Sequence, residues 1–401
     1  MNTFPNHSVG DRLLALDVLR GITFAGMMLV NNAGDWNYFY SPLKHAAWHG
    51  WTLADMVFPF FLWIVGFSLT LSLSRRRHQG ASVGEVCRHL LVRSLLIFGL
   101  GLFLSGFPFG LAFDHHFSWA TMRIPGVLQR IAICYGVVGL LVLTTRIRTQ
   151  LILTWLIVIL SWLLLVLVPV PGFGAGDLTP EGNLARFIDA MFLAGHTWTA
   201  APVAGFDPEG LFSTLPAMAT CLFGVLTGHF LKIQRTPKAI ASGLFAAGIL
   251  LMGSGLLWDH WLPINKGLWT SSYVLLMAGL ALVVFAGCFW LVDIRGWQRW
   301  TRPWVILGTG TLFLYFLSGL MGRSITLYKV VDVNHQLVSF KTFYFRRLFL
   351  PFFDPWMASF LHAVAFVFLM YVIARGTQWG GAALRNFCRH FWLRKVRHPP
   401  L

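Results

Sequence analysis

The chain has 401 residues, of which 56% are hydrophobic and 11% charged, with 18 Trp and 36 Phe. A soluble core of this size has no use for that much apolar surface, so the composition excludes a soluble globular enzyme and predicts an all-α, polytopic membrane protein. The net charge of +16 does not indicate nucleic acid, because the basic residues fall in short clusters between apolar runs, where the positive-inside rule puts them.

A spanning helix takes about 20 mostly apolar residues. That ruler predicts about ten spans, at 14–34, 53–73, 89–107, 126–145, 150–170, 212–231, 238–258, 269–291, 304–322 and 352–374. The first carries Asp17 and Arg20 and is followed by no small-residue cleavage pattern, so a cleaved signal peptide is not expected and the amino terminus, residues 1–12, stays cytoplasmic. Alternate loops hold Arg75, Arg76, Arg77, Arg88 and Arg93, then Arg146 and Arg148, then Lys232, Arg235 and Lys238, then Arg295, Arg299 and Arg302. With Arg12, Arg20 and the basic tail 375–401, this side collects 21 of the 31 Lys and Arg residues and is read as cytoplasmic, with both termini inside. Three far-side loops are long enough to carry function: Asp35 to Thr52, Pro171 to Leu211, and Arg323 to Pro351. Tryptophans at this boundary, among them Trp36, Trp48, Trp198 and Trp269, fit an aromatic belt. No repeat or low-complexity tract divides the chain, so residues 1–401 are read as one membrane domain. The cysteines Cys87, Cys134, Cys221, Cys288 and Cys388 are scattered without metal-ligand spacing, and neither disulfide nor zinc is expected.

The stretch from Lys44 to Leu73, KHAAWHGWTLADMVFPFFLWIVGFSLTLSL, puts two histidines and an aspartate ahead of a long apolar run. His45 and His49 with one aspartate make a weak metal signal. Asp55 suits a helix cap at the start of the second span, and it equally suits a carboxylate that fixes the tautomer of His45; the two roles are compatible. Asp17 and Arg20 share a helix face as an ion pair or a cavity lining. Asn31 and Asn32 end the first span at the level of His45, where an amide can cap the helix or donate to a developing oxyanion. In MRIPGVLQRIAICYG, Arg123 marks the boundary, and Gln129 and Arg130 lie inside the fourth span, where Arg130 is expected to face a cavity. Asp207 and Glu209 precede the sixth span, and Asn265 and Lys266 precede the eighth. Capping and interfacial anchoring account for each singly, but not for polar groups gathering at one membrane face from so many spans.

The ordered blocks LDVLRGITFAGMMLVNN, KHAAWHGWTLADMVFPFFLWIVG, RIPGVLQRIAICY, DPEGLFSTLPAMATCLFGVLTG and PINKGLWTSSYVLL resemble the heparan-α-glucosaminide N-acetyltransferase family. The resemblance implies transfer of an acetyl group from cytoplasmic acetyl-CoA to an amino or hydroxyl group of a sugar on the far side. The family's H-A-x-W-x-G pattern selects His45 as the active histidine, its V-N motif selects Asn31 and its T-x-x-D-x-V-F-P motif selects Asp55; His49 occupies an open position of the pattern. Arg20, Gln129, Arg130 and the cytoplasmic loop arginines are candidates for holding the CoA moiety, and His49, Arg123, Asp207, Glu209, Asn265 and Lys266 for the acceptor. His45 would act as general base or as acetyl carrier. The expected partners are the lipid bilayer, acetyl-CoA and a sugar or glycan acceptor, with homodimerisation left open and neither metal nor nucleic acid expected. The lumenal amino-terminal domain and extra first span of the lysosomal enzyme have no counterpart in this sequence, so acceptor specificity is not carried over and a bacterial inner membrane is the expected location. The competing readings are a transporter or flippase whose polar residues line a substrate path, and a sensor or assembly subunit whose basic tail binds anionic lipid or a partner.

Overall fold

The computed structural model describes residues 13–112, 116–233, 236–332 and 335–397, with side chains through 378. The amino-terminal segment 1–12, with Arg12, and Arg235 of the basic loops lie outside the described residues. In hydrocarbon every backbone polar group must be satisfied within the protein, which leaves helices as the way for these apolar runs to cross. The crossings are α1 (Leu14–Asn31), α2 (Leu53–His78), α3 (Val83–Gly106), α4 (Val127–Thr144), α5 (Ile147–Leu167), α7 (Leu211–Phe230), α8 (Pro237–Trp258), α9 (Ser271–Phe289) and α13 (Pro355–Arg397). The pair α10 (Arg302–Thr309) and α11 (Thr311–Leu327), which meet at Gly310 with a bend of 78°, is apolar enough to count as a tenth if the two make one span. The protein is an integral membrane protein, with nine such helices among the described residues, or ten with the bent pair.

The expected span 304–322 is therefore two half-helices, because the run Gly308, Thr309, Gly310 gives little support to a continuous helix. α3 starts before the expected 89 because Ser82 and Glu85 form a capping box there, the Ser82 backbone N–H donating to Glu85 at 2.8 Å. On the far face the second long loop folds a short helix, α6 (Leu184–Phe192), and the third a β-hairpin (Lys329–Val331 with Leu337–Ser339) followed by α12 (Phe340–Leu348).

The helices α2, α7 and α9 form the centre of the bundle, with Trp63, Phe67 and Phe285 packed ring to ring at 5.0–5.6 Å and fully buried. α3, α5 and α8 keep rows of exposed leucine and isoleucine, as outer helices facing lipid do. Close approach of α2 to α7 depends on two glycines: a Cβ at Gly66 would stand 1.8 Å from the Cys221 carbonyl oxygen, and one at Gly224 would stand 1.9 Å from that of Trp63. Gly66→Ala is accordingly expected to push α2 from α7 and destabilise the protein by about 3 kcal/mol, read as a lowered thermal unfolding midpoint in detergent.

Candidate active site

The loop between α1 and α2 is tied down by the residues that flank its chemistry. The Thr52 hydroxyl donates to the Lys44 carbonyl at 2.6 Å, the Gly50 N–H to Ile264 at 2.7 Å, and the Trp48 indole N–H to Leu178 at 2.9 Å. Asp55, at the third position of α2, accepts the backbone N–H groups of Thr52 at 3.0 Å and Ala46 at 3.1 Å through Oδ2. Its other oxygen, Oδ1, lies 2.7 Å from Nδ1 of His45. A carboxylate only accepts, so Nδ1 carries the proton and Nε2 keeps its lone pair. Asp55 thus fills both roles open in the sequence: it caps α2 and it orients His45. The Tyr273 hydroxyl, on α9, donates to the Asp55 carbonyl at 2.6 Å and braces the same turn. Asp55 is 1% exposed at its side chain and His45 43%, so the buried partner holds the ring and the ring opens to the cavity.

A cavity of about 500 Å3 opens in front of this pair, and Asn31, His45, Asp55, Arg123, Glu209 and Lys266 line it. These residues come from five separate stretches of the chain. Lys266 Nζ lies 3.4 Å from Asp55 Oδ1 and 3.0 and 3.3 Å from the two ring nitrogens of His45. Burial pulls the Lys266 ammonium below the usual lysine range, opposed by the Asp55 and Glu209 carboxylates. Arg123 donates to Asp207 through Nε at 2.8 Å and Nη2 at 2.6 Å, and to Glu209 at 2.5 Å. Burial works against the Arg123 charge, but those two carboxylates raise its pKa beyond the ordinary arginine value. Burial also disfavours the Glu209 carboxylate, and the charges of Arg123, Arg130 and Lys266 outweigh it and hold the group low. Behind them Asp189 of α6 accepts the Leu211 N–H at 2.9 Å, yet burial pushes its carboxyl up to about 7.

Other residues singled out in the sequence stand elsewhere. Asp207 is fully buried and accepts the Trp198 and Glu209 N–H groups at 2.9 Å, so it shapes the turn before α7 instead of lining the cavity. Asn265 accepts the Leu268 N–H at 2.9 Å and builds the turn that presents Lys266. His49 faces the Asn265 amide, 3.4 Å away, outside the cavity lining; burial lowers its pKa, against the Asp259 charge.

Arg130, expected to face a cavity, is 1% exposed and is not in the lining of the cavity at His45 or of the one at Arg20. Its guanidinium lies against the adjoining rings of Phe58 and Trp269, with ring centroids at 5.8 and 4.9 Å. It donates to the Pro208 carbonyl at 2.8 Å and to the Ser213 hydroxyl, which pins the turn carrying Glu209. The aromatic faces and loop carbonyls contact this charge through Nη2 and the guanidinium face, while Nε and Nη1 have no hydrogen-bond partner among the described residues. Gln129 points into a neighbouring far-face cavity of about 400 Å3 with Ser105 and Arg323, which shares Arg123, Val127 and Trp198 with the one at His45. Of Arg20, Gln129 and Arg130, only Arg20 lines the cavity of about 510 Å3 in the basic half of the bundle. There Arg20 donates to Asp17 at 2.9 Å and Ser68 at 2.8 Å.

That cavity is completed by Arg93, one of the basic residues considered for CoA, and by a stretch the sequence did not single out. Arg93, assigned to a loop, sits within α3 with its guanidinium 5.4 Å from the Tyr135 ring centroid, and residues 308–311 at the helix break form another wall. The signals were an arginine within the apolar run LLVRSLLIFGL and a Gly-Thr-Gly-Thr interruption inside a span. Met27, Phe58 and Val127 belong to the walls of both this cavity and the one at His45, so the two abut at mid-bundle.

Residues 12–258 match the family model described as heparan-alpha-glucosaminide N-acetyltransferase, catalytic. The chain is 29% identical over 356 residues to the human protein named heparan-alpha-glucosaminide N-acetyltransferase, covering 76% of this chain and 52% of that one. Its mouse counterpart matches at 29% over 357 residues, covering 77% and 53%. The chain spans about half the length of the curated relatives it matches. The match takes in α1 through α8, with the loop of His45 and the dyad partner Asp55; the chain belongs to the heparan-alpha-glucosaminide N-acetyltransferase family.

Proposed function

We propose that the protein is a membrane-bound acetyltransferase that takes acetyl-CoA from the cytoplasm and acetylates an amino or hydroxyl group of a sugar or glycan at the far face of a bacterial inner membrane. The observation that carries this reading is the His45 and Asp55 pair in a far-face cavity that abuts a second cavity opening toward the basic, cytoplasmic half. The residues present suit the donor: Arg20 and Arg93 offer charge to phosphates, and a largely apolar wall accepts an extended thioester arm. With the acyl carbon at the shared wall of Met27, Phe58 and Val127, an acceptor in the far cavity lies beside Nε2 of His45.

In the direct route Nε2 takes the proton from the attacking amine or hydroxyl. The new C–N or C–O bond forms, the C–S bond breaks, and the proton passes to the departing CoA thiolate. Asp55 steadies the imidazolium that exists between those proton transfers. The alternative route, with acetyl carried on Nε2, needs the same tautomer.

Purified protein in nanodiscs, given radiolabelled acetyl-CoA and a panel of amino sugars, is expected to transfer label to at least one acceptor. Folded protein that neither binds CoA nor transfers label overturns the reading. The broken α10–α11 crossing is a feature that transporters also use, and accumulation of a sugar in proteoliposomes without CoA is the result that would favour that function instead.

A further inference from the structure

The catalytic cavity has two cationic side chains in its lining among the described residues, Arg123 and Lys266, and they differ in how far their donors are engaged. Arg123 directs Nε and Nη2 at Asp207 and Glu209, and its charge is already answered by two carboxylates. Lys266 has three N–H donors, and its nearest carboxylate oxygen, Asp55 Oδ1, is 3.4 Å away. Its approach to His45 does not follow a ring lone pair. Nδ1 already points at Asp55 at 2.7 Å, while Nζ is almost equidistant from the two ring nitrogens, at 3.0 and 3.3 Å. At least one N–H of the ammonium is therefore left for the cavity, beside the Nε2 lone pair.

We propose that Lys266 is a catalytic residue: its ammonium binds the carbonyl oxygen of the transferring acetyl group and takes up the negative charge that develops there. This rests on the acetyltransferase reading above and adds to it the electrophilic half of the site. An acyl carbon attacked at Nε2, or by an acceptor from which Nε2 removes the proton, places its oxygen within hydrogen-bond reach of a donor 3.3 Å from Nε2. Both routes for His45 pass through such an oxyanion. As the C–N or C–O bond forms, the carbonyl π pair moves onto oxygen; it returns as the C–S bond breaks, so Lys266 needs to transfer no proton.

The turn that carries Lys266 is built before substrate arrives. Asn265 receives the Leu268 N–H, its own N–H donates to Thr270 at 3.0 Å, and the Trp269 N–H donates to the Lys266 carbonyl at 3.2 Å. A donor fixed in this way loses little free energy to reorganisation when charge appears. Lys266 lies beyond the residues matched by the family model.

The test compares full-length wild type, Lys266→Met and Lys266→Cys, the last before and after alkylation with 2-bromoethylamine, which rebuilds a lysine-like ammonium; wild type treated alike controls for other cysteines. Lys266→Met is expected to lower kcat about 10²–10³-fold, with KM for acetyl-CoA and acceptor changed less than about threefold. Alkylated Lys266→Cys is expected to recover at least about tenfold of the rate lost by the unmodified cysteine variant. The proposal is overturned by a kcat for Lys266→Met within about threefold of wild type, by a loss confined to KM, or by a kcat loss in Lys266→Cys that alkylation leaves unchanged. Because the cysteine variant is judged against itself, a Lys266→Met protein that misfolds does not decide the outcome. Inactive wild type removes the acetyltransferase reading and this proposal together, whereas active wild type with an unaffected Lys266→Met removes this proposal alone.

Discussion

His45→Ala is expected to lower acetyl transfer by about 10²–10⁴-fold, the range a positioned general base contributes, while CoA binding and the unfolding midpoint stay near wild type. The side chain is 43% exposed and packs into none of the hydrophobic clusters of the bundle, so its removal leaves no buried void. Its polar partner Asp55 keeps the Ala46 and Thr52 N–H groups and gains access to Lys266, so the carboxylate is not stranded. Retained CoA binding is expected because the donor cavity draws on Arg20, Arg93 and the helix break, none of which touches the imidazole. A loss of both binding and transfer would point to collapse of the loop. His49→Ala serves as the matched control: that ring lies outside the cavity lining, and its loss is expected to change kcat less than about threefold, within the ordinary effect of a surface substitution.

Asp55→Asn is expected to cost as much as losing the base, on the order of 10⁴-fold in kcat, by the argument that applies to any carboxylate holding a histidine tautomer. An amide can present its NH2 group to Nδ1, which then has to accept, and the proton moves to Nε2, where the reaction needs a lone pair. The amide also removes the charge that steadies an imidazolium. Asn remains a good helix cap, so the variant is expected to fold. Asp55→Ala differs: it takes away the acceptor for the Thr52 and Ala46 N–H groups and should cost about 0.5–2 kcal/mol of stability as well. Measuring kcat and the unfolding midpoint for both variants separates the tautomer role from the cap. Equal activity of Asp55→Asn and wild type would leave Asp55 as a helix cap only.

The residues that were legible and those that were not differ in a physical way. His45 and Asp55 lie ten residues apart on one loop and the helix it enters, so local sequence constrains their meeting. Arg130 was legible as an anomaly, a charge within an apolar span, but not in its solution. The rings of Phe58 and Trp269 and the carbonyl of Pro208 that surround it come from distant parts of the chain, and no periodicity in α4 announces them. The same holds for Lys266, which from the sequence is an interfacial lysine and in the fold lies within 3.4 Å of the dyad.

By itself the sequence determined the all-α membrane architecture, because a bilayer accepts few backbone solutions for runs this apolar, and lysine and arginine placement orders the loops. It also determined the family, and marked the first far-side loop as the candidate site, through short motifs that survive without knowledge of contacts. Only the tertiary structure decided which of the scattered polar residues share a cavity. It separated Arg123, Glu209 and Lys266, which face His45, from Asp207, Asn265 and Arg130, which build turns behind them. The physical reason is that a buried charge takes its meaning from partners fixed by helix packing, such as the approach of α2 to α7 at Gly66 and Gly224, and those distances are a property of the whole bundle.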